Sequence, residues 1–302
     1  MRLGTVRDGD ETRVGVLEGD RVLVTDEPLL EVAILTGYDF SEATGTWRPL
    51  AEVQLDLPLR PDAVFCLGQN YSDHLDEKAP IDSKEPEFFV KAGVTVAHPD
   101  MPAIADPRVT AKLDYETELG VVIGRSGRFI PPERALDHVF GYVVVNDLTA
   151  RDRQVRPIAG GGFAMALGPG KNFEGATRLG SWVTPAAEVG DPQQLALTTL
   201  VNGELRQSNS TRNMIHDVRT LISFVSQLLE LRPGWVISTG TPGGTGWGQD
   251  RELGGTGVTP PGCEPARYLT PGDRVRSEIE RVGVLEFDVI APGTRPDDLG
   301  RN

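Results

Sequence analysis

The chain of 302 residues is poor in cysteine, histidine and aromatic side chains, with two Cys, four His and 6% Phe, Trp and Tyr. Two cysteines cannot build a disulfide framework. Cys66 stands inside the apolar run AVFCLG and reads as a small buried hydrophobe, while Cys263 falls in a Gly/Pro loop. Basic charge is scarce as well. Thirty Lys and Arg against 44 Asp and Glu leave a net charge of −14. That is the wrong sign for tracking a phosphate backbone or an anionic membrane surface. No apolar run approaches the ~20 residues of a membrane-spanning helix, and the N-terminal MRLGTVRDGDETRV lacks the apolar centre of a signal peptide. The expectation is a cytoplasmic protein with neither nucleic acid nor membrane as partner.

What is abundant is glycine (35) and proline (23), the mark of many short elements joined by turns. Up to about residue 58, alternating segments (13–16, 21–24) are separated by Gly-Asp pairs, which predicts a small antiparallel sheet. Pro58 and Pro61 punctuate the chain, and the buried-strand signal DAVFCLG follows, so a boundary is expected between residues 1–59 and 60–302. Beyond it lie strand signals at 87–90, 113–124, 141–148, 196–202, 235–239, 273–279 and 284–290. One long helix is expected in STRNMIHDVRTLISFVSQLLEL, its apolar stripe running from Met214 to Leu229, with Ser210 or Thr211 as cap and Pro233-Gly234 as terminator. A shorter helix is expected at PPERAL. Strands and helices do not alternate regularly, so a strand-rich α+β fold is expected over a doubly wound parallel sheet.

The strongest chemical signal is LDYETELGVVIG. With strand period two, Asp114, Glu116 and Glu118 share one face, leading straight into an apolar run. Carboxylates on a covered face must be protonated, paired or bound to a cation; the bland alternative is a charged sheet edge that discourages aggregation. Asp147, ending the apolar strand GYVVVNDL, is a third carboxylate, or else an N-cap for the turn that follows. An all-oxygen set suits Mg²⁺ or Mn²⁺, with Ca²⁺ possible. In CLGQNYSDHLDE a short helix near Ser72 puts His74 and Glu77 three apart on one face, the arrangement of an oriented general base or of an ordinary ion pair. Lys171 in GPGKNFE fails the phosphate-loop spacing, with Met165 and Asn172 where Gly and Ser/Thr belong, and GGTGWG at 243–248 fails the dinucleotide pattern. His98, His138 and His216 lack ligand-spaced partners, and no G-x-S-x-G elbow is present.

Taken in order, GQNYSDHLDE, FFVKAG, DYETELGVVIG, GYVVVNDLTARDRQ, GKNFE, VNGELRQSNSTRNMI, STGTPGG and LTPGDRVRSEIERVGVLE resemble the fumarylacetoacetate hydrolase family over roughly residues 60–290. The resemblance implies a mixed β-roll catalytic domain behind a small N-terminal β domain, in a homodimer. It implies that Glu116, Glu118 and Asp147 bind Mg²⁺ or Mn²⁺, that His74 and Glu77 activate water, and that Lys171 assists substrate and oxyanion binding. Arg151, Gln154, Thr241 and Lys91 fall where relatives contact substrate. The implied activity is hydrolysis of a C–C bond in an acylpyruvate or related diketo acid, a small 2-oxo acid. The alternatives are a lyase or isomerase of the same superfamily (a 2-oxo acid decarboxylase, sugar-acid dehydratase or hydratase) and a non-catalytic metal-binding dimer. Three features depart from the family pattern: Asn172-Phe173-Glu174 replaces the usual Ser-Phe-Asp, Ala92 stands where many relatives have proline, and residues 248–267 form a long Gly/Pro-rich insertion expected to act as a lid or substrate-specific wall.

Overall fold

The computed structural model describes residues 1–77 and 85–293. The N-terminal part is an antiparallel five-stranded sheet in the order Gly45–Pro49, Arg21–Thr25, Glu11–Glu18, Arg2–Asp8, Gln54–Leu55. Its first two hairpins turn on the expected Gly-Asp pairs, with Gly9 and Gly19 at φ of +65° and +61°. Glycine adopts that left-handed conformation without steric cost.

The larger part is built on a mixed eight-stranded sheet. Its order is Glu87–Ala92, Ala63–Gly68, Val236–Ser238, Thr117–Ile123, Val139–Asp147, Thr177–Leu179, Val96–Ala97, with Thr184–Pro185 also pairing to Val139–Asp147. Two of these pairings are parallel, Ala63–Gly68 with Val236–Ser238 and Thr177–Leu179 with Val96–Ala97. A second sheet orders Glu204–Ser210, Ala196–Val201, Arg274–Ile279, Gly283–Ile290 and Ala103–Ile104. Thr117–Ile123 is buried along its whole length, which is why it reads as an unbroken apolar run after its two polar residues.

The main core fills the space between these two sheets. Leu119, Val121, Tyr142 and Val144 meet Leu197, Val275, Ile279 and Phe287, and the helix Val218–Leu228 adds Leu221, Ile222 and Val225. The other face of the eight-stranded sheet carries Val64, Cys66, Val122, Val143 and Val145, and packs on Leu3, Val14, Val16 and Leu30 of the N-terminal part. The strand-rich α+β architecture is therefore as expected.

Three local expectations are corrected. The long helix begins at Val218, not at Ser210: Asp217 caps it, its carboxylate accepting from Thr220 N at 2.7 Å. Ahead of it the strand Glu204–Ser210 and a 3-10 turn Thr211–Asn213 intervene. The apolar stripe runs on through Met214 and Ile215, but their backbone is committed elsewhere. Met214 bridges Tyr71, and Ile215 N donates to Asn70 O at 2.8 Å. Tertiary bonds there outweigh helical propensity. The PPERAL segment is a 3-10 helix, Pro132–His138. The strand expected at 113–124 is two strands, Leu113–Asp114 and Thr117–Ile123, broken at Tyr115-Glu116.

Candidate active site

The break in the acidic strand decides which carboxylates meet. Thr117 lies opposite Asn146, and Asp147 N donates to Glu116 O at 2.9 Å, so Glu116 and Asp147 are neighbours across adjacent strands. Glu118, two residues on, shares the face of Glu116. One oxygen from each of Glu116, Glu118 and Asp147 lies within 4.8 Å of the others, and all three residues are 3% exposed or less. Asp114, expected on the same face, does not join them. Its carboxylate accepts from Arg151 Nε at 2.7 Å and from the amides of Gly246 and Trp247 at 2.8 and 3.0 Å. Asp147 is no helix cap either, since Ala150 precedes the turn Arg151–Gln154.

Three buried anions this close demand cations. Lys171 Nζ donates to Glu116, to Asp147 Oδ2 at 2.7 Å and to Thr149 Oγ1 at 2.9 Å. Lys91, fully buried, donates to Asp147 and to Ala176 O at 2.7 Å. Arg151 donates to Glu116 through Nη2 and to Gln154 Oε1 at 2.8 Å through Nη1. Burial alone would raise the Glu116 carboxyl, but Arg151 and Lys171 hold it well below the usual carboxylate range. Burial likewise opposes the Lys171 ammonium, and Asp147 and Glu116 more than offset it. Glu118 has neutral donors, Ser238 Oγ at 2.6 Å and Gly240 N at 2.9 Å. Burial, with Asp147 and Glu116 beside it, pushes its carboxyl up to about 8. The donor set is three carboxylates without nitrogen or sulfur. That set fits a hard divalent cation.

His74 lies on the short helix Ser72–Asp76, and its Nδ1 is 2.8 Å from Glu77 Oε2. A carboxylate oxygen accepts, so Nδ1 is the donor in this bond and Nε2 is the ring nitrogen that Glu77 does not engage. Glu77 is itself fixed by Gly244 N at 2.6 Å, Thr245 N at 3.1 Å and Thr245 Oγ1 at 2.9 Å.

His74, Glu116, Glu118, Arg151, Gln154, Lys171 and Thr241 line one cleft of about 350 Å³, open mouth included. Asp147, Glu77 and Lys91 stand behind that wall, each bonded to residues nearer the cleft or to one another's partners. The Thr241 hydroxyl is engaged, accepting from Gln207 Nε2 at 2.9 Å and donating to Thr117 O at 3.0 Å.

Sequence reasoning missed Gln69, Glu87, Phe89, Met165, Leu167 and Trp247, which also line the cleft. Glu87 and Phe89 alternate on one strand face, a legible signal once the cleft is known. Gln69 adopts φ of +56°, uncommon for a residue with a side chain, and its Nε2 donates to Glu87 Oε2 at 2.8 Å. Two of the departures from the family pattern prove to be one feature. The Ala92 amide, a donor that proline lacks, donates to Asn172 Oδ1 at 2.8 Å, tying the Lys91 strand to the Lys171 turn.

Residues 63–290 match the family model for the fumarylacetoacetate (FAA) hydrolase C-terminal region, and residues 1–58 match the Rv2993c-like N-terminal model. The chain belongs to the fumarylacetoacetate hydrolase family. It is 37% identical over 280 residues to the oxaloacetate tautomerase YisK of Bacillus subtilis, covering 91% of this chain and 84% of that one. Its fold superposes on fumarylacetoacetate hydrolase from psychrophilic Exiguobacterium antarcticum with a TM-score of 0.77, at 34% identity over 96% of this chain and 99% of that one. It also superposes on maleylpyruvate hydrolase from Sphingobium sp. SYK-6, solved with manganese(II) and pyruvate, with a TM-score of 0.72 at 26% identity over 96% and 99% of the two chains. The chain is thus an enzyme of a superfamily that includes tautomerases and hydrolases of small oxo acids.

Proposed function

We propose that this enzyme binds a small 2-oxo acid at a divalent cation, Mg²⁺ or Mn²⁺ before Ca²⁺, held by Glu116, Glu118 and Asp147. Its reaction on this reading is proton transfer at the carbon beside the 2-oxo group, the keto–enol tautomerisation of an oxaloacetate-like diacid. The observation that carries it is a buried His74–Glu77 dyad sharing one small cleft with a buried oxygen ligand set. When bound, the ion supplies a Lewis acid that polarises the oxo group and acidifies the neighbouring carbon. Glu77 holds the Nδ1 proton, leaving His74 Nε2 to take a proton from that carbon and deliver it to the oxo oxygen in the keto-to-enol direction, and to carry it back from oxygen to carbon in the other. Lys171, kept charged by its carboxylates, stabilises negative charge developing on oxygen. Arg151, braced by Asp114 and Gln154, orients Glu116 and offers the substrate's carboxylate a cationic wall, with Gln154 and Thr241 beside it. The match to the tautomerase over nine-tenths of the chain supports this reaction.

C–C hydrolysis of an acylpyruvate is the second reading, favoured by the same dyad, which would then take its proton from water. The catalytic role falls to residues 60–302, since every proposed site residue lies there, with residues 1–59 packed on the apolar part of the sheet. A homodimer acting in the cytoplasm belongs to the same proposal; sizing by light scattering tests the dimer. Among the described residues no helix is long and apolar enough to cross a membrane.

The deciding experiment supplies oxaloacetate with Mn²⁺ and follows the enol band, alongside acetylpyruvate monitored for pyruvate and acetate. Enol–keto interconversion that EDTA abolishes is the expected result. Faster release of pyruvate and acetate would shift the assignment to the hydrolase, and CO₂ release from oxaloacetate would shift it to a decarboxylase. Inertness toward all three reactions would overturn the 2-oxo acid reading.

A further inference from the structure

The Gly-rich segment 243–248, which fails the dinucleotide pattern, nonetheless cradles oxyanions, and they are the protein's own. Four successive amides, Gly244 to Trp247, donate to two buried carboxylates: the first pair to Glu77 Oε1 at 2.6 and 3.1 Å, the second pair to Asp114 at 2.8 and 3.0 Å. Tyr115 Oη donates to the Gly244 carbonyl at 3.0 Å. The glycines make the approach possible. A Cβ at Gly248 would sit 2.6 Å from Glu77 Oε1, and one at Gly246 would sit 2.9 Å from Asp114 Oδ1. Further on, Thr256 N and Oγ1 bond the carbonyls of Glu77 and Asp76 at 3.0 and 2.8 Å. The turn 244–247 that leads into the long insertion is therefore pinned to the dyad helix and to the Arg151 partner, and stands as a fixed wall.

What that wall presents to the cleft is Trp247. The residue is 4% exposed, and its ring lies 5.2 Å from the Arg151 guanidinium and forms an edge-to-face pair with His74, centroids 6.3 Å apart. Its Nε1 donates to Leu253 O at 2.9 Å, so the indole cannot swing aside without losing a buried hydrogen bond. We propose that Trp247 is the specificity-determining residue of this enzyme, closing the cleft beyond Arg151 so that short 2-oxo acids fit and longer ones are excluded. Glu77 and Asp114 act as its positioning residues. The inference rests on the reading of the cleft as a 2-oxo acid site, and adds the residue that limits chain length.

Calorimetric binding with Mn²⁺ present tests it, using oxalate as the short probe and 2-oxoadipate as the long one. Trp247→Ala is expected to raise the affinity for 2-oxoadipate relative to oxalate by roughly tenfold or more, the scale of one or two methylenes in an apolar pocket. Trp247→Phe should raise it less; should the alanine variant not fold, Trp247→Leu replaces it. A ratio within about twofold of the native value would overturn the assignment while leaving the 2-oxo acid reading intact. Native protein that binds neither probe would overturn both. Amide exchange gives a second readout: residues 244–247 should exchange as slowly as Thr117–Ile123, and fast exchange there would overturn the fixed wall.

Discussion

Glu77 is bound by His74 and by three donors of the Gly244–Thr245 turn, so a single carboxylate holds both the His74 imidazole and the opposite wall. Removing the imidazole leaves that turn in place. His74→Ala should therefore lower kcat by about 10²–10⁴-fold, the usual contribution of a positioned proton-transfer group, while Mn²⁺ titration still shows binding; near-native turnover would remove His74 from the mechanism. Truncating Glu77 orphans four donors, His74 Nδ1 among them. Glu77→Ala should cost about 1–3 kcal/mol per unsatisfied buried group, and urea denaturation should show it markedly less stable than His74→Ala. At this scale the sequence was readable where chemistry follows period: Glu116 and Glu118 by strand alternation, His74 and Glu77 by helical spacing. It was mute where a partner comes from far along the chain. Nothing local to Asp114 announces that it serves Arg151 and the 246–247 amides, and nothing local to Lys91 announces Asp147 as its partner.

Elements show the same division. The helix Val218–Leu228 was visible from its stripe, but its start was not, because Asn70 and Tyr71 claim the backbone of Ile215 and Met214. With Asp217 as its cap, Asp217→Ala should cost about 0.5–2 kcal/mol in chemical denaturation, and Ser210→Ala should cost less. The turn before the strand Arg274–Ile279 is held by Asp273. Its carboxylate accepts from Arg267 at 2.6 and 2.7 Å, Thr270 N at 2.7 Å and Asn202 Nδ2 at 2.7 Å. Burial opposes its charge, yet these donors hold its carboxyl well below the usual range. A lowered folded value means stability that is complete above the ordinary carboxylate range near pH ~4 and is lost as pH falls through the folded value. Asp273→Asn should therefore be less stable than the native chain at pH 7, with the difference shrinking steadily below pH ~4; a pH-independent gap would show that charge is not the cause.

Across the whole molecule, the eight-stranded sheet serves two purposes on one face. Its apolar half, Val122, Val143 and Val145, seats the N-terminal strands, and its polar end carries Glu116, Glu118 and Asp147. The site is thus held by the sheet that organises the fold. A ligand that binds only the native state stabilises it by mass action, about 2.7 kcal/mol at a hundredfold excess over Kd. Mn²⁺ should raise the midpoint of thermal unfolding by several degrees, EDTA should reverse the rise, and Asp147→Asn should abolish it. A midpoint indifferent to Mn²⁺ would remove the metal from the site.

The sequence by itself determined the strand-rich class, the acidic pair on one strand, the dyad on one helical turn and the family to which the chain belongs, because each is written in residues a few positions apart. Tertiary structure alone decided that Asp114 leaves the acidic group, that Ala92 and Asn172 act together, and that the Gly-rich turn 243–248 is a pinned wall carrying Trp247. Those outcomes depend on which distant donors meet which buried carboxylates, and burial obliges every such group to find a partner wherever the fold supplies one.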